Sequence, residues 1–371
     1  MTTTNSHRDH QAEWLATMHG NRTAGNIITA HETPMSIETT LADRRRTEEH
    51  QAATLSSGAT LAHEAGNRPQ HEEPDVLRTC FERDRDRILH SSAFRRLAGK
   101  TQVFIFPADH QRTRLTHALE VSQVAVAIAR RLRLNTDLTE AIALGHDCGH
   151  GPGGHASEVA LEPFLPDGFD HAPWGAYVTL AQLNLCQETT DGIANHSWSR
   201  PKPMTPEAEI VALADRIAYC AHDLEDAIDA GLLQRSAVPA DLTQLIGPHR
   251  TQQLDYFITD VIWTSVHHGT IGLSTEAGEA LAMLRAFNYT HIYTTQAAER
   301  QSKAVIAVLR SLTDYLLEHP AALPQRDQSL SVEHQVVAYV AGMTDRYAFR
   351  LARDLLHWPA NRLPLGIDLS S

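Results

Sequence analysis

Apolar residues along this chain recur mostly three and four positions apart, the spacing that gathers them on one face of a helix. From Pro74 onward the pattern repeats: a charged amphipathic stretch over Arg78–Leu97, then Arg114–Leu132, then Asp137–Cys148 behind the cap-like Asn135-Thr136. A Gly/Pro-rich passage, Gly149–Pro173, interrupts it, and helix resumes over Trp174–Thr189. A second loop, Ser197–Thr205, carries Pro201 and Pro203 and leads into a Thr205-Pro206 helix start. The helix that follows, Pro206–Ala230, stops at Gly231, where glycine suits a helix C-terminus. Thr251–Val266, Ser274–Arg285, Thr294–Glu318 and Ser331–His357 complete the helical text, with Pro320–Leu330 as a linker. Strand-like alternation is confined to Thr101–Phe106. The pattern predicts an all-α fold with no internal repeat.

The first 75 residues read differently, being rich in Thr, Ser, Asn, Gly and His with weak periodicity. They are expected to form a flexible or partner-dependent arm, with one charged helix near Leu41–Leu55. The body is expected over residues 76–360, with a core at 110–232, a C-terminal helical part at 250–357 and a tail at 361–371. At 371 residues, 42% hydrophobic and 21% charged, the balance is that of an ordinary globular protein. The apolar run Val124–Ala129 stops at Arg130-Arg131, so no segment spans a membrane, and Met1–Gly20 has no apolar export signal. The four cysteines are widely separated, which suits reduced thiols in a cytoplasmic protein. A net charge of −13 argues against an extended nucleic-acid surface while leaving room for a local basic pocket. Histidine is over-represented at 23 copies, but His7, His10, His19, His31, His50, His63 and His71 in the arm show no spacing logic.

The informative histidines lie further on. On Arg114–Leu132, His117 shares a face with Val121, Val124 and Ile128, while Leu115, Leu119 and Val126 lie opposite, so the helix is expected to be buried. On Pro206–Ala230, Asp215 falls opposite the stripe Ile210, Leu213, Ile217, Leu224 and Ile228. A carboxylate there must be paired, protonated or metal-bound, because an isolated buried charge is costly. An ion pair with Arg216 is the bland alternative. Tyr219, His222 and Asp223 continue a polar stripe along the same helix.

His146-Asp147 opens the run to Glu158, which holds three histidines and two carboxylates. With His117 and Asp215 it makes a His/Asp set suited to Mn²⁺, Fe²⁺, Mg²⁺, Ni²⁺ or Zn²⁺, with Mn²⁺ or Mg²⁺ favoured, between buried helices. His150 stands one turn beyond His146 and projects the same way. A helical restart after the glycine turn would bring His155 and Glu158 to one face, where the carboxylate can orient and stabilise an imidazole acid–base.

The order His117, His146-Asp147, Asp215 resembles the metal signature of the HD-domain phosphohydrolases. Phe94-Arg95-Arg96-Leu97, Lys100-Thr101-Gln102-Val103-Phe104, Arg112–His117, Ala214–Tyr219, Asn195-His196-Ser197-Trp198 and Gly342–Tyr347 are similar to the deoxynucleoside triphosphate triphosphohydrolases, or dGTPase-like proteins, in their type 2-like branch. The likeness runs in order from about Arg78 to Tyr347. It implies an all-helical homo-oligomeric enzyme with one divalent metal per subunit, releasing a deoxynucleoside and inorganic triphosphate. Carried over, His117, His146, Asp147 and Asp215 are metal ligands and His155 is the acid–base supported by Glu158. His150 and His171 line the phosphate side, Gln102, Tyr219 and Asp223 hold the sugar, and Arg114 and Arg216 contact phosphates. The sequence departs from the family at Gly151-Pro152-Gly153-Gly154 and at Ala172-Pro173-Trp174-Gly175, both on the substrate side, and nothing in it picks out the base.

Two other expectations stand beside this one. An HD-type enzyme could act on another nucleotide, as a nucleotidase, a (p)ppGpp hydrolase or a modified-nucleotide hydrolase, and the phosphate product would tell them apart. A non-catalytic nucleotide-binding regulator would keep the metal for structure and would have no use for His155 and Glu158.

Overall fold

The computed structural model describes residues 5–22, 26–103, 111–324 and 330–364. It divides at Ala42/Asp43 into two units. The first holds a helix, Asn5–Thr17, and a short antiparallel pair, Asn21–Arg22 with Ile28–Thr29. Everything with chemistry lies in the second. Residues 43–75, grouped with the arm by composition, belong to that second unit. Thr60 gives its N–H and hydroxyl to Glu207, and Arg68 pairs with Asp84 at 2.6 Å. Weak periodicity misleads here because side-chain ties, rather than an apolar face, hold the segment. Its helix is Arg44–Thr54, capped by Asp43.

Arg114–Leu132 forms as expected and packs against Thr136–Gly145, Pro206–Asp229 and Arg250–His268. Its burial is one-sided: Val121, Val124 and Ile128 are buried with His117, but Leu119 is 47% exposed. The predicted helix Trp174–Thr189 is broken into His171–Trp174, a π turn at Gly175–Thr179, a 3₁₀ turn and Gln187–Ala194. Gly149 packs backbone to backbone on Gly175, and Asn184 adopts φ of 51°, so a straight helix cannot pass. The predicted Ser331–His357 is likewise two helices, Val332–Ala341 and Asp345–Leu356. A helix at Ala240–Ile246 escaped the pattern. Of the strand-like Thr101–Phe106, Thr101 bridges Thr113, while residues 104–106, like 365–371 of the tail, lie outside the described residues. No described helix is long and apolar enough to cross a membrane.

Two hydrophobic cores result. One is built on Arg114–Leu132, Thr136–Gly145 and Pro206–Asp229; the other joins His155–Leu161 to Gln296–Glu318 and the two last long helices. The loop Gly149–Gly154 runs from the first core to the second. Gly153 and Gly154 have φ of 74° and 62°, and a Cβ on Gly153 would stand 2.5 Å from Val305. Only glycine fits such a bend.

Asp345 clamps this loop. Its carboxylate accepts from Thr101 N and Oγ1 at 2.9 and 2.6 Å and from Gly153 N at 2.9 Å. The buried Lys100 ammonium donates to the His150 and Ala341 carbonyls beside it. This is why the chain breaks at Gly342-Met343-Thr344 and turns Asp345 inward. Asp345→Ala is expected to lower stability by about 1–3 kcal/mol through orphaned donors, with Asp345→Asn intermediate. Urea midpoints decide, and unchanged midpoints would mean the clamp carries no stability.

Candidate metal centre

Two helices, Arg114–Leu132 and Pro206–Asp229, and the C-terminal end of a third, Thr136–Gly145, bring the four ligand-type residues together. His117 Nε2 lies 3.0 Å from Asp215 Oδ1, and His146 Nε2 lies 3.7 Å from the same oxygen. Asp147 Oδ2 is 3.5 Å from His146 Nε2 and 3.9 Å from His117 Nε2. His117, His146 and Asp147 are buried, and Asp215 is half-buried, its side chain 22% exposed. The Ala143 carbonyl accepts from His146 Nδ1 at 2.7 Å, which leaves Nε2 as the lone-pair nitrogen. That nitrogen is buried with no hydrogen-bond partner among the described residues. A buried unsatisfied imidazole nitrogen beside two carboxylates fits a divalent cation. Arg216 is not the partner of Asp215, because its guanidinium lies 3.5 Å over the Trp198 ring. The arginine in the centre is Arg114, buried, with Nη1 2.6 Å from Asp147 Oδ2.

Both carboxylates are held ionised. Burial works against Asp147, but Arg114, His146 and His150 keep it well below the carboxylate range. Burial is likewise outweighed at Asp215, lowered to about 2 by the His117 hydrogen bond and the His146 charge.

Beyond Gly154 the chain restarts as the short helix His155–Leu161. His155 Nδ1 lies 2.9 Å from Glu158 Oε2, and the histidine side chain is 72% exposed. The other Glu158 oxygen meets His171 Nδ1 at 2.5 Å. Burial opposes the Glu158 charge, yet the hydrogen bonds from His155 and His171 hold it far below the carboxylate range. Glu158 in turn lifts His171 above the usual imidazole range in spite of burial. His150, stacked on His171 at 3.7 Å, is pushed well below that range by burial and the Arg114 charge.

Arg216, Tyr219 and Asp223, expected from the resemblance to meet substrate, all lie on Pro206–Asp229. Tyr219 accepts from Arg285 Nε at 2.9 Å. Asp223 is buried, its oxygens taken by Arg112 and, at 2.5 Å, by the Tyr293 hydroxyl. Burial holds the Asp223 carboxyl above its ordinary value, although Arg112 pulls it down. Gln102 Oε1 is buried and unpartnered among the described residues. Arg216, Trp198, Arg285 and Tyr289 line a pocket of about 380 Å³. Arg285, from the helix Thr275–Asn288, and Tyr293, from the π turn Tyr289–Tyr293, sit in no motif that the sequence analysis singles out. Arg112 and His196 stood inside quoted motifs without an assigned role.

Comparison with known proteins agrees with this geometry. The HD domain family matches residues 114–220, a span enclosing all four ligand positions. A deoxyguanosinetriphosphate triphosphohydrolase-like protein of Caldanaerobacter subterraneus subsp. tengcongensis is 43% identical over 316 residues, 82% of this chain and 93% of its own. The chain belongs to the dGTPase-like HD-domain phosphohydrolases. Proteins of the same description from Clostridium perfringens (39% identical, 82% of this chain, 94% of theirs) and Desulfatibacillum aliphaticivorans (37%, 82% and 95%) extend the likeness. The phosphohydrolase-associated domain matches residues 271–354. In this dGTPase-like chain that region brings Arg285 to Tyr219, Tyr293 to Asp223 and the Asp345 clamp to the loop.

Proposed function

We propose that this protein hydrolyses deoxynucleoside triphosphates between the α-phosphorus and the 5′-oxygen, releasing a deoxynucleoside and inorganic triphosphate. The observation that carries the reading is the His155–Glu158 pair, 2.9 Å from ring nitrogen to carboxylate, on the helix that follows the His146-Asp147 end and its glycine loop. A structural metal site has no use for an exposed, carboxylate-oriented imidazole.

In this reading His117, His146, Asp147 and Asp215 hold one divalent cation, Mn²⁺ or Mg²⁺ in preference. When bound, such a cation would supply charge neutralisation for the phosphates and a lowered pKa for a water beside the α-phosphorus. Glu158 fixes His155 through Nδ1, so Nε2 is the atom that delivers a proton to the departing 5′-oxygen. The Glu158 charge stabilises the protonated ring before transfer. Arg114 holds Asp147 in place and keeps Nε and Nη2 for phosphate oxygens, both being buried without a partner among the described residues. Arg216 faces the outer phosphates. His150 and His171 close the phosphate side. Arg285 fixes the Tyr219 ring against the sugar, while Gln102 and the Asp223–Tyr293 pair meet the 3′-hydroxyl.

With the sugar against a Tyr219 ring fixed by Arg285 in this reading, an added 2′-hydroxyl would be crowded, so kcat/KM is expected to be higher for each dNTP than for its ribonucleotide. Turnover of all four pairs with Mn²⁺ or Mg²⁺, read as triphosphate release, checks this. Comparable values for dGTP and GTP and for the other pairs would contradict it. Orthophosphate or pyrophosphate as product would transfer the site to a nucleotidase or (p)ppGpp-type reaction.

A further inference from the structure

The His155 ring is exposed and hydrogen-bonded to Glu158 of its own helix, so the pair stands wherever the start of that helix is placed. No capping side chain sets that start, because the residue before His155 is Gly154. The loop leading to it, Gly151-Pro152-Gly153-Gly154, holds three glycines, a backbone with wide conformational freedom unless something ties it. Part of the tie is internal: Gly151 N donates to Ser157 Oγ at 3.0 Å, and that hydroxyl donates to Gly154 O at 2.7 Å. These bonds join the loop to its own helix and move with it. The tie to the rest of the molecule is Gly153 N on Asp345 Oδ1, while Asp345 Oδ2 takes Thr101 N and Oγ1. Thr101 is itself anchored, bridged to Thr113 next to the start of the Arg114 helix, where Arg114 N donates to Lys100 O at 3.3 Å. Gly154 lies against the same arginine, since a Cβ there would stand 2.8 Å from Arg114 Nη2. One carboxylate therefore refers the start of the His155 helix to the arginine that holds Asp147.

We infer that Asp345 is a positioning residue for the proposed reaction: by holding Gly153 N it places the His155–Glu158 pair so that His155 Nε2 meets the departing 5′-oxygen. The inference rests on His155 as the acid–base of that reaction. Asp345 moves no proton and meets no substrate; it is 3% exposed, and its carboxylate is taken by Thr101 and Gly153. Its effect is on distance, to which proton transfer is sensitive, a displacement of about 1 Å being able to cost about 10²-fold in rate. The metal centre is insulated from the same loss. Lys100 keeps the other end of the loop by donating to the His150 and Ala341 carbonyls, and the four ligand positions lie outside the loop. Removing Asp345 thus frees Gly153 without releasing His150 or Asp147.

A double-mutant cycle between Asp345→Ala and His155→Ala in the full chain, read as kcat, KM and bound Mn²⁺, tests this. Asp345→Ala alone is expected to lower kcat about 10–100-fold, with KM for the dNTP changed less than about threefold and Mn²⁺ content as in the parent. Asp345→Asn is expected to recover part of kcat. In the His155→Ala background Asp345→Ala is expected to lower kcat no further, because the group it positions is gone. Where Asp345→Ala does not fold, Asp345→Asn carries the same cycle with a smaller step. Parent kcat in the folded variant, or losses that multiply in the double variant, would overturn the positioning role and leave the acid–base reading standing. Loss of Mn²⁺ together with kcat would also overturn it, since the clamp would then be supporting the metal centre. Full activity in His155→Ala would overturn the acid–base reading and the positioning role with it.

Discussion

Asp215→Ala is expected to remove bound metal and turnover together, whereas His155→Ala lowers kcat by about 10²–10⁴-fold and leaves metal content unchanged. The contrast follows from position. Asp215 Oδ1 lies 3.0 and 3.7 Å from Nε2 of the two ligand histidines, so its loss removes a charge and a donor from the centre at once. His155 touches no residue of the His117, His146 and Asp215 group through its ring nitrogens; its recorded partner is Glu158. Metal analysis of the purified variants alongside single-turnover rates separates the two roles. A metal-free His155→Ala protein would make His155 a ligand, and full activity in Asp215→Ala would end the metal assignment.

Arg112→Met is expected to cost about 3–5 kcal/mol of stability, the range for removing one partner of a buried charge network. The Arg112 side chain, 7% exposed, reaches Asp223, Asp226 at 2.7 Å and Glu120 at 3.1 Å. Without it Asp223 keeps, among the described residues, the Tyr293 hydroxyl. The Asp223 carboxyl already sits above its ordinary value through burial, and losing the Arg112 charge raises it further. A carboxyl whose pKa is higher folded than unfolded takes up a proton on folding, so its contribution is lost as pH rises through the folded value. The deficit of the variant is therefore expected to be larger at about pH 8 than at about pH 5. Urea unfolding at both pH values measures it. A pH-independent loss below about 0.5 kcal/mol would mean that the network carries little stability.

Much of this arrangement was legible in the residues. Arg114–Leu132 begins and ends where apolar spacing and its flanking residues put it, and Asp215 stood out as a carboxylate on an apolar helix. The His155–Glu158 pairing followed from a glycine turn and an i, i+3 spacing. What could not be read was long-range. Arg285 and Tyr293 meet Tyr219 and Asp223 from helices 66 and 70 residues away, and no local pattern announces them. Asp345 stands in the motif Gly342–Tyr347 inside the expected helix Ser331–His357, but its partners Thr101 and Gly153 are distant in sequence, and reaching them breaks the helix at Gly342. The arm boundary failed for a related reason: polar ties such as Thr60 to Glu207 leave no periodicity.

Hydrolysis in water enriched in heavy oxygen, with the most rapidly cleaved dNTP and Mn²⁺, tests attack at the α-phosphorus most directly. Phosphorus NMR and mass spectrometry of the products locate the label. The expected result is one heavy oxygen in inorganic triphosphate and none in the 5′-hydroxyl of the deoxynucleoside. Label in the nucleoside, or release of orthophosphate or pyrophosphate in place of triphosphate, would contradict it.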